Sequence, residues 1–273
     1  RWMCQLLRVS ASGFYAWLKQ QSSRDVRDDE LLKLIRELFQ QSRQTYGSPR
    51  IYRELRTRGV RCSKARVERL MRDNGISPPR KRKYRVTTDS KHHFPVAPNL
   101  LARNFTAEVP DKVWVSDITY LATRTGWLYL TVIIDLFSRM VVGWALSSSL
   151  SHEMVVTALK RAIRSRRPGD GLIFHSDRGV QYACTGFRKE LGKHCFVQSM
   201  SRKGDCWDNA VAESFFGQMK TELIYHEKYE GHQDTLHSIF EYIEAFYNRE
   251  RRHSTLGYLS PVEYEKQKLK FCA

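Results

Sequence analysis

Apolar positions in the first third of the chain recur at helical spacing. Leu6, Leu7 and Val9 precede Ser10-Ala-Ser-Gly13, a turn and cap signal, and Phe14, Trp17 and Leu18 follow, so residues 1–20 read as a pair of short helices. Leu31, Leu34, Ile35, Leu38 and Phe39 line one face of a helix over 28–42. Residues 47–75 read as a helix-turn-helix. Gly47-Ser-Pro49 opens a helix carrying Ile51, Tyr52 and Leu55, and Gly59-Val-Arg-Cys62 turns the chain. Ser63 caps a second helix running to Asn74, and Gly75 ends it. Val67, Leu70 and Met71 face the first helix, which leaves Lys64, Arg66, Arg69 and Arg72 on the outer side.

Periodicity then lapses. Pro78-Pro79 stops the helix, Arg80-Lys-Arg-Lys83 repels itself into an extended run, and Pro95 and Pro98 follow, so 77–108 read as a basic linker. From 112 onward, strand-like runs fall at 112–121, 126–135 and 138–147, the spacing of an antiparallel meander. A helix over 152–166, a strand over 171–177, a helix over 180–192, a strand over 195–200 and a helix over 208–223 complete the order. That succession predicts an α/β fold: a ribonuclease-H-like mixed five-stranded sheet flanked by helices, preceded by a small all-α helix-turn-helix region. The expected division is 1–76 helical, 77–108 linker, 109–223 sheet domain and 224–273 helical tail.

Charge sharpens this division. The formal net charge is +17, a field that calls for a polyanionic partner. Residues 1–108 hold 24 Lys/Arg against 10 Asp/Glu, and residues 109–273 hold 22 against 19. The front of the chain is therefore expected to supply most of the phosphate grip: Lys64, Arg66, Arg69 and Arg72 on the second helix, and Arg80, Lys81, Arg82 and Lys83 in the linker. The six cysteines form no C-x-x-C pair, which fits reduced thiols and leaves His92-His93 without partners for zinc. No apolar run spans a bilayer, so no membrane partner is expected, and the reduced thiols fit a cytosolic setting. The chain opens on Arg1 rather than Met, as the downstream part of a longer product would.

Three carboxylates stand in distinctive contexts. Asp117 lies inside the first strand, Asp177 ends the fourth, and Glu213 lies on the last helix of the sheet domain. Two aspartates on strands and a glutamate on a helix can converge on a pair of divalent ions about 3.5–4 Å apart, the equipment for phosphoryl transfer. Asn209, Glu213, Gly217 and Lys220 share one helix face, opposite an apolar stripe of Val211, Phe215 and Met219. Gly217 leaves room there for a phosphate near Lys220, while the plainer reading is an exposed polar face. Asn209 and His175 stand as candidate outer-shell supports, His175 reading first as an ordinary strand histidine. Asp135 and Asp170 read as turn residues and Asp208 as a helix cap.

Long motifs then match in order: Trp114-Val-Ser-Asp-Ile-Thr-Tyr120, Trp127-Leu-Tyr-Leu-Thr-Val-Ile-Ile-Asp-Leu-Phe-Ser-Arg139, Val142-Gly-Trp144, His175-Ser-Asp-Arg-Gly-Val-Gln-Tyr182, Asp208-Asn-Ala-Val-Ala-Glu-Ser-Phe-Phe216 and Tyr247-Asn-Arg-Glu-Arg-Arg-His253. The chain resembles the second-frame DDE transposases of the bacterial insertion-sequence IS-three family, with a core similar to retroviral integrases. The resemblance implies Asp117, Asp177 and Glu213 as the catalytic and metal-binding triad and Lys220 as the basic residue that contacts the element's end. It implies two Mg²⁺ or Mn²⁺ ions per site, transposon-end and target DNA as partners, a homo-oligomer in the synaptic complex, and an upstream first-frame product. The competing readings are a metal-dependent nuclease of the same fold class and a DNA-binding regulator with an inactive core.

Overall fold

The computed structural model describes residues 2–19, 23–79, 93–202 and 206–270. The linker residues Arg80, Lys81, Arg82 and Lys83 lie outside the described residues. The chain divides into two compact units, with the boundary between Pro79 and Arg80.

The first unit is helical: α1 (Trp2–Leu6), α2 (Ala11–Lys19), α3 (Ser23–Gln41), α4 (Ser48–Thr57) and α5 (Lys64–Asp73). Ser10 alone starts α2, its Oγ accepting from Gly13 N at 3.2 Å, so Gly13 lies within the helix rather than in a turn. Leu31, Ile35 and Leu38 of α3 are buried with Ile51 and Leu55 of α4 and Val67, Leu70 and Met71 of α5. Ser63 caps α5 through Oγ, which accepts from Arg66 N at 3.2 Å. Gly75, at φ 65°, ends it in a conformation that L side chains rarely adopt. Asp28 on α3 reaches across to α5 and accepts from both Arg66 and Arg69.

The second unit is built on β1 (Val113–Thr123), β2 (Gly126–Asp135), β3 (Val141–Ser147), α6 (His152–Arg166), β4 (Ile173–Ser176), α7 (Val180–Ala183), α8 (Thr185–Lys193), β5 (Val197–Met200) and α9 (Ala210–Glu222). The sheet order is β3-β2-β1-β4-β5. β1, β2 and β3 are antiparallel, and β4 runs parallel to both β1 and β5. β2 is buried continuously from Leu130 to Asp135, as a strand covered on both faces must be. Gly143 brings β3 close to α6, since a Cβ there would meet the Ala158 carbonyl oxygen at 2.5 Å. The helix expected over 180–192 is broken at Cys184, whose extended backbone separates α7 from α8.

The segments on either side of the sheet domain pack against it. In the expected linker, Leu100 N donates to Ser199 Oγ at 2.9 Å, Leu101 is buried, and the Phe105 carbonyl accepts from Arg139 Nη2 at 2.8 Å. In the expected tail, α10 (His232–Phe240) runs into a π-helical turn, Glu241–Tyr247, and α11 (Pro261–Lys270) follows. Asn248 pairs with the edge strand β3 as another strand would. Its Oδ1 accepts from Val141 N and its Nδ2 donates to Val141 O, both at 3.0 Å. Arg166 on α6 bonds Asp111 ahead of β1 and Glu265 on α11, so charged residues distant in sequence close the unit.

Candidate active site

The parallel pairing of β1 and β4 sets Val115 opposite His175. Two residues further along each strand direction come Asp117, within β1, and Asp177, just past the end of β4. Asp117 Oδ1 accepts from Ile118 N at 2.8 Å, and Asp177 Oδ1 accepts from Gly179 N at 2.9 Å. Below them Ser116 Oγ donates to Val132 O at 2.9 Å, so the Tyr182 hydroxyl, 2.8 Å away, is the donor to Ser116. Tyr182 lies just beyond Asp177, and this bond ties the segment after β4 to β1.

The turn before α9 is held from several sides. The buried Asp208 carboxylate accepts from Arg202 N, Nε and Nη2 at 2.8, 3.0 and 2.9 Å, from Asn99 Nδ2 at 2.8 Å and from Arg103 Nε at 3.3 Å. Arg202 above all holds its pKa well below the usual carboxylate range. His175 Nε2 donates to the Asp208 carbonyl at 3.0 Å, since a carbonyl can only accept, and with the neutral ring's proton there Nδ1 accepts from Ser199 Oγ at 2.9 Å. Burial lowers the His175 pKa, in keeping with a neutral ring of fixed tautomer. His175 thus bolts β4 and β5 to the start of the Glu213 helix. Asn209 Nδ2 donates to the Ser116 carbonyl at 3.0 Å, which joins the same turn to the residue beside Asp117.

Electrostatics bring the triad together. Burial raises Asp117 well above the ordinary carboxylate value, and Asp177 and Glu213 add to the shift while Lys220 opposes it. Glu213 is raised by burial and by Asp177. Burial lowers Lys220, and Asp117 draws it the other way, so the ammonium faces the strand carboxylate. The helix face of Asn209, Glu213, Gly217 and Lys220 is buried or half-buried rather than fully exposed. Among the described residues, no three His, Cys, Asp or Glu side chains stand close enough to hold a metal ion as they are. The donor set nevertheless fits a hard divalent cation. All its atoms are oxygens, the carboxylates repel one another, and the buried Asn209 Oδ1 has no hydrogen-bond partner among the described residues, an arrangement that ordinarily costs about 1–3 kcal/mol.

Asp135 is a structural acid. It is buried at the end of β2, accepts from Phe137 N at 3.1 Å and Asp111 N at 3.3 Å, and stands 3.7 Å from Arg166. Burial pushes its pKa up to about 7. On α5, in the other unit, Lys64 and Arg72 are exposed, whereas Arg66 and Arg69 are engaged by Asp28.

One pair absent from the sequence reading joins the C-terminal region to the end of α9. Arg251, 1% exposed, donates through Nε and Nη2 to the two Glu222 carboxylate oxygens, and the Tyr242 hydroxyl donates to Glu222 at 2.8 Å. Tyr247 sits edge-on to Phe215 of α9, with ring centroids 4.8 Å apart. The only advance sign of the pair was the basic cluster Arg249-Glu-Arg-Arg252, which as composition reads as a solvated surface.

Residues 107–206 match the model of an integrase core domain, 213–269 match a second integrase core domain model, and 26–84 match an HTH-like domain. The chain is 43% identical over 266 residues to the insertion element IS600 uncharacterized 31 kDa protein of Shigella sonnei, covering 97% of this chain and 98% of that one. It is 39% identical over 270 residues to the transposase InsF for insertion sequence IS3A of Escherichia coli (strain K12), covering 98% and 94%. Among solved structures, it aligns with a chain of the simian T-cell lymphotropic virus intasome in complex with PP2A regulatory subunit B56 gamma. The TM-score is 0.50 at 14% identity, over 75% of this chain and 67% of that one, a likeness of fold.

Proposed function

The chain belongs to the IS3 family of insertion-sequence transposases, and from that premise we propose that it cleaves and joins the DNA ends of its own element by metal-dependent phosphoryl transfer at Asp117, Asp177 and Glu213. The observation that supports this reading is the parallel pairing of β1 with β4, which sets Asp117 and Asp177 on neighbouring strands, while Glu213 and Lys220 of α9 both act on the Asp117 carboxyl. Two bound Mg²⁺ or Mn²⁺ ions would supply Lewis acidity to the attacking and leaving oxygens. The chain's own part is positional. Asp117 offers its oxygens from within β1 and Asp177 from just past the end of β4, and Glu213 closes the set from the helix. Tyr182, His175 and the Asp208 turn hold those elements in register. Lys220 meets a phosphate of the element's end next to the scissile bond.

The helical unit grips DNA in this reading. Lys64 and Arg72 of α5 reach the phosphates, and the Arg80–Lys83 run adds non-specific grip. Asp28 withholds Arg66 and Arg69, so Asp28→Asn is expected to strengthen binding to unrelated DNA. If both arginines engage phosphates, the log–log salt slope steepens by about 0.9 for each. A salt titration that gives the same slope for variant and wild type would show that the two arginines stay on the protein side. The working form is a homo-oligomer at paired ends, with an upstream first-frame product as further partner.

The decisive experiment incubates the full chain with oligonucleotides that carry its element's ends and flanking DNA, with Mg²⁺ or Mn²⁺. Strands joined to a new 3′ end are expected. Cleavage without joining would make it a nuclease, and binding without cleavage would make it a regulator.

A further inference from the structure

Asn209 is the N-cap residue of α9, yet its side chain does not cap the helix. It turns instead to the sheet, where Nδ2 donates to the Ser116 carbonyl at 3.0 Å. Exchanging the amide nitrogen and oxygen would set two acceptors against each other, so the orientation is fixed. The residue is 4% exposed, and Oδ1 has no hydrogen-bond partner among the described residues. An N-cap asparagine ordinarily gives that oxygen to an N–H of the first turn. Here the oxygen is withheld from that donor and buried, and no hydrogen bond among the described residues compensates. Two anchors locate the carboxamide. Ser116 immediately precedes Asp117 on β1, and Asn209 precedes Glu213 by about one helical turn, so the amide bridges the strand and the helix that carry two of the three carboxylates.

We propose that Asn209 Oδ1 accepts a hydrogen bond from a water molecule in the hydration shell of the catalytic divalent cation, which makes Asn209 a positioning residue for the metal and not a ligand. The inference rests on the metal-dependent reading above. A small hard cation keeps several of its waters, and each such water is a strong donor that needs an acceptor. A carboxamide oxygen accepts without bringing a fourth negative charge to carboxylates that already repel one another.

Mn²⁺ alone is the probe. The full chain, Asn209→Ala and Asn209→Asp are titrated by calorimetry, their melting temperatures are read with and without Mn²⁺, and Mn²⁺-bound waters are counted by proton relaxation. Asn209→Ala is expected to bind Mn²⁺ about tenfold more weakly or worse, with an unchanged water count and a smaller Mn²⁺-induced rise in melting temperature. Asn209→Asp keeps an oxygen but loses the Ser116 bond, and is expected to bind at least as tightly as wild type. Wild-type affinity in a cooperatively melting Asn209→Ala overturns the proposal. So does a loss in Asn209→Asp equal to that in Asn209→Ala, which would assign the effect to the Ser116 bond. A gain of one bound water in Asn209→Ala would make the residue a direct ligand and overturns it too. No saturable Mn²⁺ binding by the wild-type chain overturns the metal reading itself, and this inference with it.

Discussion

Asp117→Asn, Asp177→Asn and Glu213→Gln are each expected to lose cleavage and joining by at least about a thousandfold, roughly 4 kcal/mol of transition-state stabilisation, while DNA affinity stays close to wild type. Asp117 adds a second, independent readout. Its folded-state pKa is raised, first by burial and then by Asp177. A raised carboxylate stabilises the fold below the ordinary carboxylate pKa, and that contribution is lost as pH rises through the raised value. Without metal, wild type should therefore lose stability as pH rises above the ordinary carboxylate range, and Asp117→Asn should lose less. The amide variant is thus expected to give up activity and gain robustness on the alkaline side of that range, a trade familiar at sites kept strained for function. Thermal melts at two pH values, run beside strand-joining assays, check both halves. Asp135→Asn is the control: its surroundings are structural, so a folded variant keeps its chemistry. Loss of activity equal to the triad's in a folded Asp135→Asn would undo the site assignment.

Replacing Arg251 with methionine is expected to lower stability by about 3–5 kcal/mol, because it strands the Glu222 carboxylate, whose side chain is 9% exposed, with only Tyr242 as donor among the described residues. For a unit of this size that is a fall of roughly 6–20 °C in melting temperature. Glu222→Met combined with Arg251→Met should recover most of the loss, since an apolar pair of similar volume carries no uncompensated charge. If the single and double variants melt alike, the pair is not the clamp described here. Activity gives a finer reading. α9 ends at Glu222, two residues after Lys220, so the double variant should fold yet join strands more slowly if the clamp also sets the height and rotation of the helix.

What the sequence disclosed followed from interactions near in the chain. Ser63 and Gly75 mark the ends of α5 because capping and a left-handed turn are decided within a few residues. β1 and β2 were legible from β-branched and aromatic runs on either side of a tight turn. Asp117, Asp177 and Glu213 were singled out by context, and in the fold Asp177 and Glu213 both contribute to the raised pKa of Asp117. What stayed hidden was long-range charge pairing. Asp28 with Arg66, Arg166 with Glu265 and Glu222 with Arg251 look in sequence like any solvated charges, and only the folded path brings them together. The same blindness made 93–108 read as a linker and 224–270 as an appended tail, since their polar anchors, Asn99 and Asn248, bond partners more than 100 residues away. The face of Asn209 and Glu213 read as open to solvent because nothing local reveals that β1 lies beside it.

The Glu222–Arg251 clamp also orders events in time. A chain is made N-terminus first, so Asp117, Asp177, Glu213 and Glu222 are all added before Arg251. A chain that stops between Glu222 and Tyr242 leaves that carboxylate with neither Tyr242 nor Arg251 as donor and leaves Phe215 without Tyr247 against it. In the reading proposed above, such a product would hold all three acids and Lys220 yet lack the brace on the helix that carries Glu213, so truncated copies are expected to be less stable and less active than the full chain.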